Sequence, residues 1–334
     1  AVQEERFSRI KHDKAFPLNS INFILREEKI SLDEIDHIVF YEKPNLKFNR
    51  IVSTILMFAP KGFSNFAKIF KKWLINYSTT ESIIKKELNK IKKIDKKINF
   101  IEHHLSHAAS AFYPSPFEEA AILTIDGVGE WSTTTLSVGK KNLINITHEI
   151  KFPHSIGLLY SAFTYYLGFK VNSGEYKVMG LAPYGKPIYE EVILKNLIDL
   201  KDDGSFRLNL DYFDYTFSNK MFNEKFERLF NLKKRKPESE INQIHKDIAA
   251  SIQSVINNIV LKIALNIKKT TNQKNLCLAG GVALNCVANG KLIKENYFEN
   301  IWIQPAAGDA GGALGAAYEF WYSNLKNERK IDKI

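Results

Sequence analysis

Ile122-Leu123-Thr124-Ile125-Asp126-Gly127-Val128-Gly129-Glu130-Trp131-Ser132-Thr133-Thr134 reads as an apolar strand, a carboxylate, a glycine-rich turn and a returning strand. Glycines let main-chain amides approach phosphate oxygens, and a carboxylate at a strand end can hold a metal or order a nucleophile. A hairpin in which the Asp126-Gly127 pair simply makes the turn is the alternative. Outward from this stretch, short apolar strands are predicted at Ile38 to Tyr41, Ile98 to Glu102, Ala120 to Asp126, Ser132 to Val138, Leu276 to Ala279 and Ile301 to Gln304. Helices are predicted at Ser20 to Glu28, His104 to Tyr113, Gly157 to Leu167, His245 to Lys268, Leu284 to Glu295 and Ala310 to Tyr322. Such alternation argues for an α/β protein with helices packed on a mixed sheet. Between Pro187 and Glu240 the chain turns polar and aromatic, which marks a domain boundary or a large insertion.

Three further segments could carry chemistry. In Phe100-Ile101-Glu102-His103-His104-Leu105-Ser106-His107-Ala108-Ala109 a strand runs into an alanine-rich helix. There His103 and His107 lie one turn apart and can share a metal, although such a pair can equally be structural. In Leu276-Cys277-Leu278-Ala279-Gly280-Gly281-Val282-Ala283-Leu284-Asn285 a strand ends in two glycines and opens into a helix. That geometry presents free main-chain donors to a nucleotide, and a ligand-free tight connection is the alternative. In Pro305-Ala306-Ala307-Gly308-Asp309-Ala310-Gly311-Gly312-Ala313 the carboxylate of Asp309 stands where it could cap a helix or complete a metal site with the histidines and Asp126. Two imidazoles and two carboxylates suit a borderline divalent ion such as iron, zinc or manganese.

Composition narrows the partners. Of 334 residues 45% are hydrophobic and 25% charged, the mixture of a globular protein with room for two domains or one duplicated unit. The net charge of +10 is spread thinly, and its densest runs, Lys85 to Lys97 and Lys233 to Lys236, lack interleaved aromatics, so solvated helix surface is expected and nucleic acid is not. No apolar run of about 18 residues stands out as a membrane span. The amphipathic stretch Ile51 to Ile75 is expected to pack on its own domain. Cys277 and Cys286 are expected to be buried, reduced thiols, which points to the cytoplasm.

Taken together, these motifs resemble those of the carbamoyltransferases of the nodulation and antibiotic-tailoring type. The resemblance extends from Glu4-Glu5-Arg6-Phe7-Ser8-Arg9-Ile10-Lys11 through Phe152-Pro153-His154-Ser155-Ile156-Gly157 and Ser173-Gly174-Glu175-Tyr176-Lys177-Val178-Met179-Gly180 to the Asp309 segment. It implies the actin-like ATPase (ASKHA, ribonuclease H-like) duplicated α/β fold, with mixed sheets flanked by helices. A first lobe would span residues 1–140, with a helical insertion at about 45–97, and a second lobe would span residues 141–334 and carry the nucleotide motifs. The same resemblance implies metal ligands at His103, His107, Asp126 and Asp309, with Fe2+ as the metal. Nucleotide contacts would fall on Gly127, Gly129, Gly174, Gly280, Gly281 and Asn285, and Lys11 would lie near the reacting carbamoyl group. The catalytic set would be Lys11, His103, His107 and Asp126. The activity implied is transfer of a carbamoyl group from carbamoyl-adenylate, made from carbamoyl phosphate and ATP, to a hydroxyl of a small-molecule acceptor. Adenylate formation would belong to a YrdC-like domain of the full-length protein. Neither that domain nor the family's opening strand is recognised in these residues, and a homodimer is a conceivable assembly. Alternative readings are threonylcarbamoyl transfer to tRNA, for which the resembling protein is similar in fold, and a non-catalytic nucleotide-binding regulator.

Overall fold

The computed structural model describes residues 1–62 and 80–331. In its first part the chain forms α1 (Leu18–Glu28), β1 (Ile38–Phe40), α2 (Pro44–Phe58), α3 (Thr80–Leu88), β2 (Ile98–Phe100), α4 (His103–Phe112), β3 (Glu119–Ile125), β4 (Ser132–Lys140) and β5 (Leu143–Lys151). It continues through α5 (Ile156–Tyr166), α6 (Glu175–Leu181), α7 (Glu190–Asn196), β6 (Ile198–Leu200), β7 (Phe206–Leu208), α8 (Glu224–Leu229) and α9 (Gln243–Thr271). β8 (Asn275–Ala279), α10 (Cys286–Lys294), β9 (Asn300–Ile303) and α11 (Gly312–Glu319) follow.

The centre of the molecule is β3, buried from Ala120 to Ile125. Side chains alternate across a strand, so Ala120 and Ile122 join a core with Ala108, Ala109 and Phe112 of α4. Ala121, Leu123 and Ile125 point the other way, into a larger core with Phe163 of α5 and Ile252 and Ile256 of α9. A strand covered on both faces needs apolar residues at consecutive positions, which is why this segment reads as a run and not as an alternation. β4 and β5 pair antiparallel on one side of β3, while β8 and β9 add in parallel on the other. The resulting order, β5-β4-β3-β8-β9, is the ribonuclease H-like arrangement of the actin-like ATPase class. The expected lobe boundary at residue 140 falls at the β4–β5 turn, and the sheet takes strands from both sides of it.

On the β3 face that bears α4, α11 crosses so closely that a Cβ at Gly315 would run into the Ser106 carbonyl. A smaller parallel pair, β1–β2, packs with α1 and α3 around Leu32, Ile84, Leu88, Ile94 and Ile98. The expected helix from Ile51 to Ile75 is described only as far as α2, and the rest of it lies outside the described residues.

The stretch from Pro187 to Glu240, expected as a domain boundary or a large insertion, buries Phe206, Phe213, Phe222, Phe226 and Phe230 in the larger core with Phe163 and Tyr166. Helix α9 is long and apolar enough to cross a membrane by length and composition, yet 72% of its apolar window is buried inside the protein. Gln253, Asn257 and Asn258 interrupt its apolar run, and the first two pair inside the core. Finally, Cys277 is buried as expected but Cys286, the first residue of α10, is exposed.

Candidate functional site

Helix α4 starts at His103, and one turn later its periodicity sets His107 on the same side. Both rings reach the end of β3, where Asp126 stands at the start of the glycine turn. His103 Nε2 lies 2.9 Å from Asp126 Oδ2 and 3.1 Å from His107 Nε2. His107 Nε2 lies 3.5 Å from Asp126 Oδ2, and both Nε2 atoms lie 3.6 Å from Asp309 Oδ1. The expected alternative of Asp309 as a helix cap is not what forms, since its carboxylate makes no capping bond and faces the histidines. Ligands about 2.1 Å from one ion sit about 3.0 to 3.4 Å apart at octahedral and tetrahedral angles. The observed separations of 2.9 to 3.6 Å bracket that range. All four donor atoms fall within 4.8 Å of one another. The donor set therefore fits a divalent ion of the borderline class.

Electrostatics agree with that geometry. Burial opposes charge on His107, but hydrogen bonds to Asp126 and Asp309 outweigh it and its pKa is pushed up to about 9. Burial likewise opposes charge on Asp126, and the hydrogen bonds from His103 and His107 hold its carboxyl well below the usual range. His104 points elsewhere: its Nδ1 meets Thr124 Oγ1 at 2.7 Å, and burial followed by the charges of its histidine neighbours pushes its pKa far down. It is a neighbour of the site and not one of the four converging side chains.

The glycines divide by role. A Cβ at Gly129 would lie 2.9 Å from His104 Cδ2 and 3.0 Å from His103 Cδ2, so this turn is pressed against the histidine helix. Gly281 donates its amide to Asp126 Oδ1 at 3.2 Å, which joins the second glycine loop to the carboxylate. Gly280 has φ of +89°, where a side chain would be strained, and a Cβ would collide with the Ile125 carbonyl. Gly127, by contrast, would place a Cβ no closer than 3.9 Å to any atom, so the protein's own packing does not require it. Ser155 Oγ donates to the Asp126 and Gly127 carbonyls at 3.1 and 2.7 Å and fixes the turn from below.

The remaining expected residues gather elsewhere. Asn285 is buried; its amide exchanges hydrogen bonds with Gln253 at 3.0 and 3.1 Å, and its Oδ1 also accepts Ala288 N–H as the cap of α10. Lys11 Nζ donates to the Ser173 carbonyl at 3.4 Å and sits 4.4 Å over the Tyr176 ring, which brings it to the Gly174 loop and not to the four ligands. In the same N-terminal motif Glu4 caps α1 by accepting from Asn19 and Ser20, and Glu5 accepts His12 N–H. Two residues escaped the sequence reading. Tyr41 lines the site with its ring 5.9 Å from His103, and burial, then the Asp309 charge, pushes its hydroxyl up to about 12. Glu130 is 6% exposed and binds the start of α4. Its position directly after the glycine turn was the only signal that could have flagged it.

Residues 1–318 match the family described as Carbamoyltransferase N-terminus. The chain belongs to that family. Among curated relatives, this carbamoyltransferase-family chain is 56% identical along its whole length to an uncharacterized protein of Synechocystis sp., of which it covers 55%. It is 37% identical over 95% of its length to the nodulation protein NolNO of Sinorhizobium fredii, of which it covers 43%. The chain thus spans about half the length of the curated relatives it matches. Among solved structures, HypF of T. kodakarensis aligns over 73% of this chain and 39% of its own, at 15% identity and a TM-score of 0.37.

Proposed function

We propose that this chain is the metal- and nucleotide-binding half of an O-carbamoyltransferase acting in the cytoplasm. It would pass a carbamoyl group from carbamoyl-adenylate, made from carbamoyl phosphate and ATP, to a hydroxyl of a small-molecule acceptor. The observation that supports this most is the convergence of His103, His107, Asp126 and Asp309 beside two glycine loops, in a chain of the carbamoyltransferase N-terminus family. An Fe2+ ion held by those four side chains would supply Lewis-acid stabilisation of phosphate oxygens. The chain's own part is to hold and orient. The main-chain amide of Gly127 would face the adenylate phosphate, whereas that of Gly129 donates to the Ser132 carbonyl at 2.9 Å and closes the turn; the loop of Gly280, Gly281 and Asn285 would border the adenosine. Lys11, placed at the Gly174 loop, would add positive charge near the ribose and carbamoyl end. In the transfer itself the acceptor oxygen bonds to the carbamoyl carbon, the bond from that carbon to the AMP phosphate oxygen breaks, AMP leaves and the acceptor hydroxyl loses its proton. A YrdC-like domain of the full-length protein would supply the adenylate.

Two measurements test this. Elemental analysis of the purified protein is expected to find about one divalent metal per chain, lost in His103→Ala and His107→Ala; an unmodified protein without metal would remove the centre. The full-length protein given carbamoyl phosphate and ATP is expected to release AMP and pyrophosphate in step with carbamoylation of a hydroxyl acceptor. Acceptor-independent turnover across a panel of sugars and polyketide-type alcohols would refute the transfer reading.

A further inference from the structure

The histidines of a metal site are usually aimed by their second ring nitrogen, which donates to a carboxylate or carbonyl. Among the described residues, neither His103 Nδ1 nor His107 Nδ1 has a hydrogen-bond partner from the protein, although both are buried. Anchoring of the helix backbone is then the protein's own means of fixing where the rings point.

The nearest candidate is the Glu130 carboxylate, buried behind the glycine turn. Its Oε1 and Oε2 each accept His103 N–H at 3.1 Å, and Oε1 also accepts Lys43 N–H at 2.7 Å. The residue that formally precedes α4, Glu102, makes no capping bond of its own; its side chain is paired with Lys43 Nζ at 2.9 Å. So the orphan amide at the first turn of a ten-residue helix is satisfied from 27 positions away in sequence. A carboxylate at that end is also favoured by the helix dipole, and the two amides compensate part of the cost of burying its charge. Glu130 follows Gly129, the residue pressed against the His103 and His104 rings. The same turn therefore holds the first ligand by its backbone and by contact at Cδ2 of its ring, and through Lys43 it ties in the connection between β1 and α2.

We propose that Glu130 is the positioning residue of this metal centre: it sets the orientation of His103, and through α4 of His107, by anchoring the first amide of the helix. The inference rests on reading His103, His107, Asp126 and Asp309 as ligands, and the test separates the two. Co2+ is titrated into the metal-free full-length protein and into Glu130→Gln, Glu130→Asp and His103→Ala, following the visible absorption of the bound ion. Unfolding of each metal-free protein is measured alongside. In Glu130→Gln one acceptor oxygen becomes an NH2 that faces main-chain donors. Its Co2+ affinity is expected to fall by about tenfold or more, as for other groups behind metal ligands, with an altered absorption spectrum in a protein that still folds. Glu130→Asp keeps the charge but is too short to bridge both amides, and is expected to fall between Gln and wild type. Wild-type affinity and spectrum in Glu130→Gln, or in Glu130→Asp should the Gln variant not fold, overturns the proposal while leaving the metal site standing. Equal Co2+ binding by wild type and His103→Ala removes the ligand reading itself, and this inference with it. If neither Glu130 variant folds, hydrogen exchange of the His103 amide in the metal-free wild type decides: slow exchange supports the anchor, and exchange at the rate of an open amide overturns it.

Discussion

A methyl group added at Gly129 would lie inside contact distance of two imidazole carbons, 2.9 and 3.0 Å away, whereas at Gly127 the nearest atom is Leu158 Cδ2 at 3.9 Å. The two glycines of one turn are therefore kept for different reasons. Gly129→Ala must push the turn or α4 aside, and is expected to cost about 1–3 kcal/mol of stability as an overpacked site and to weaken metal binding. Gly127→Ala should unfold within about 0.5 kcal/mol of wild type and bind metal normally, with any deficit confined to nucleotide binding. Denaturant unfolding and metal titration of the pair check this, and equal losses at both positions would mean that the turn behaves as a single packed unit. The sequence showed both glycines, but it could not tell them apart, because the histidine rings that press on Gly129 come from an earlier helix.

Among the elements, α9 shows how a helix start is satisfied and what that implies for pH. His245 Nδ1 accepts Asn242 N–H at 3.0 Å in a capping box. Burial, and then the Arg235 charge, lowers its pKa below the ordinary value of 6.5. Protonation would occupy the lone pair that caps the helix. A base whose folded pKa lies below its unfolded one lends stability above the unfolded value, and that stability is lost as pH falls through it toward the folded value. The unfolding midpoint should therefore drop as pH falls below about 6.5, and more steeply in wild type than in His245→Gln, whose side-chain oxygen can accept the same amide without titrating. Parallel pH profiles would rule out the cap as the source. Most elements of the sheet and its flanking helices were legible because β3 and β8 are apolar on both faces and the helices carry long apolar stripes. β5 was not, since its residues from Leu143 to Lys151 are mostly exposed and offer no apolar run.

Across the whole molecule, the end of α4 is held by Arg329, which arrives from beyond α11. Its guanidinium donates to the carbonyls of Phe112, Ser115 and Phe117 at 2.8 Å and of Tyr113 at 3.1 Å, and lies 4.4 Å over the Phe112 ring. Arg329→Ala should lower stability by about 2–4 kcal/mol, given four charged hydrogen bonds and partial solvent replacement, as read by denaturant unfolding; a change under about 0.5 kcal/mol would show that water serves those carbonyls equally well. The sequence by itself determined the α/β class, most strands and helices, and which side chains could serve as ligands, because periodicity, glycine loops and paired imidazoles are local signals. Only the tertiary structure decided that Asp126 and Asp309 meet His103 and His107, that Asn285 is engaged by Gln253, and that Glu130 and Arg329 grip the two ends of one helix. Those contacts join residues tens to hundreds of positions apart, and a chain's local pattern fixes the direction of each side chain without fixing which distant partner it will face.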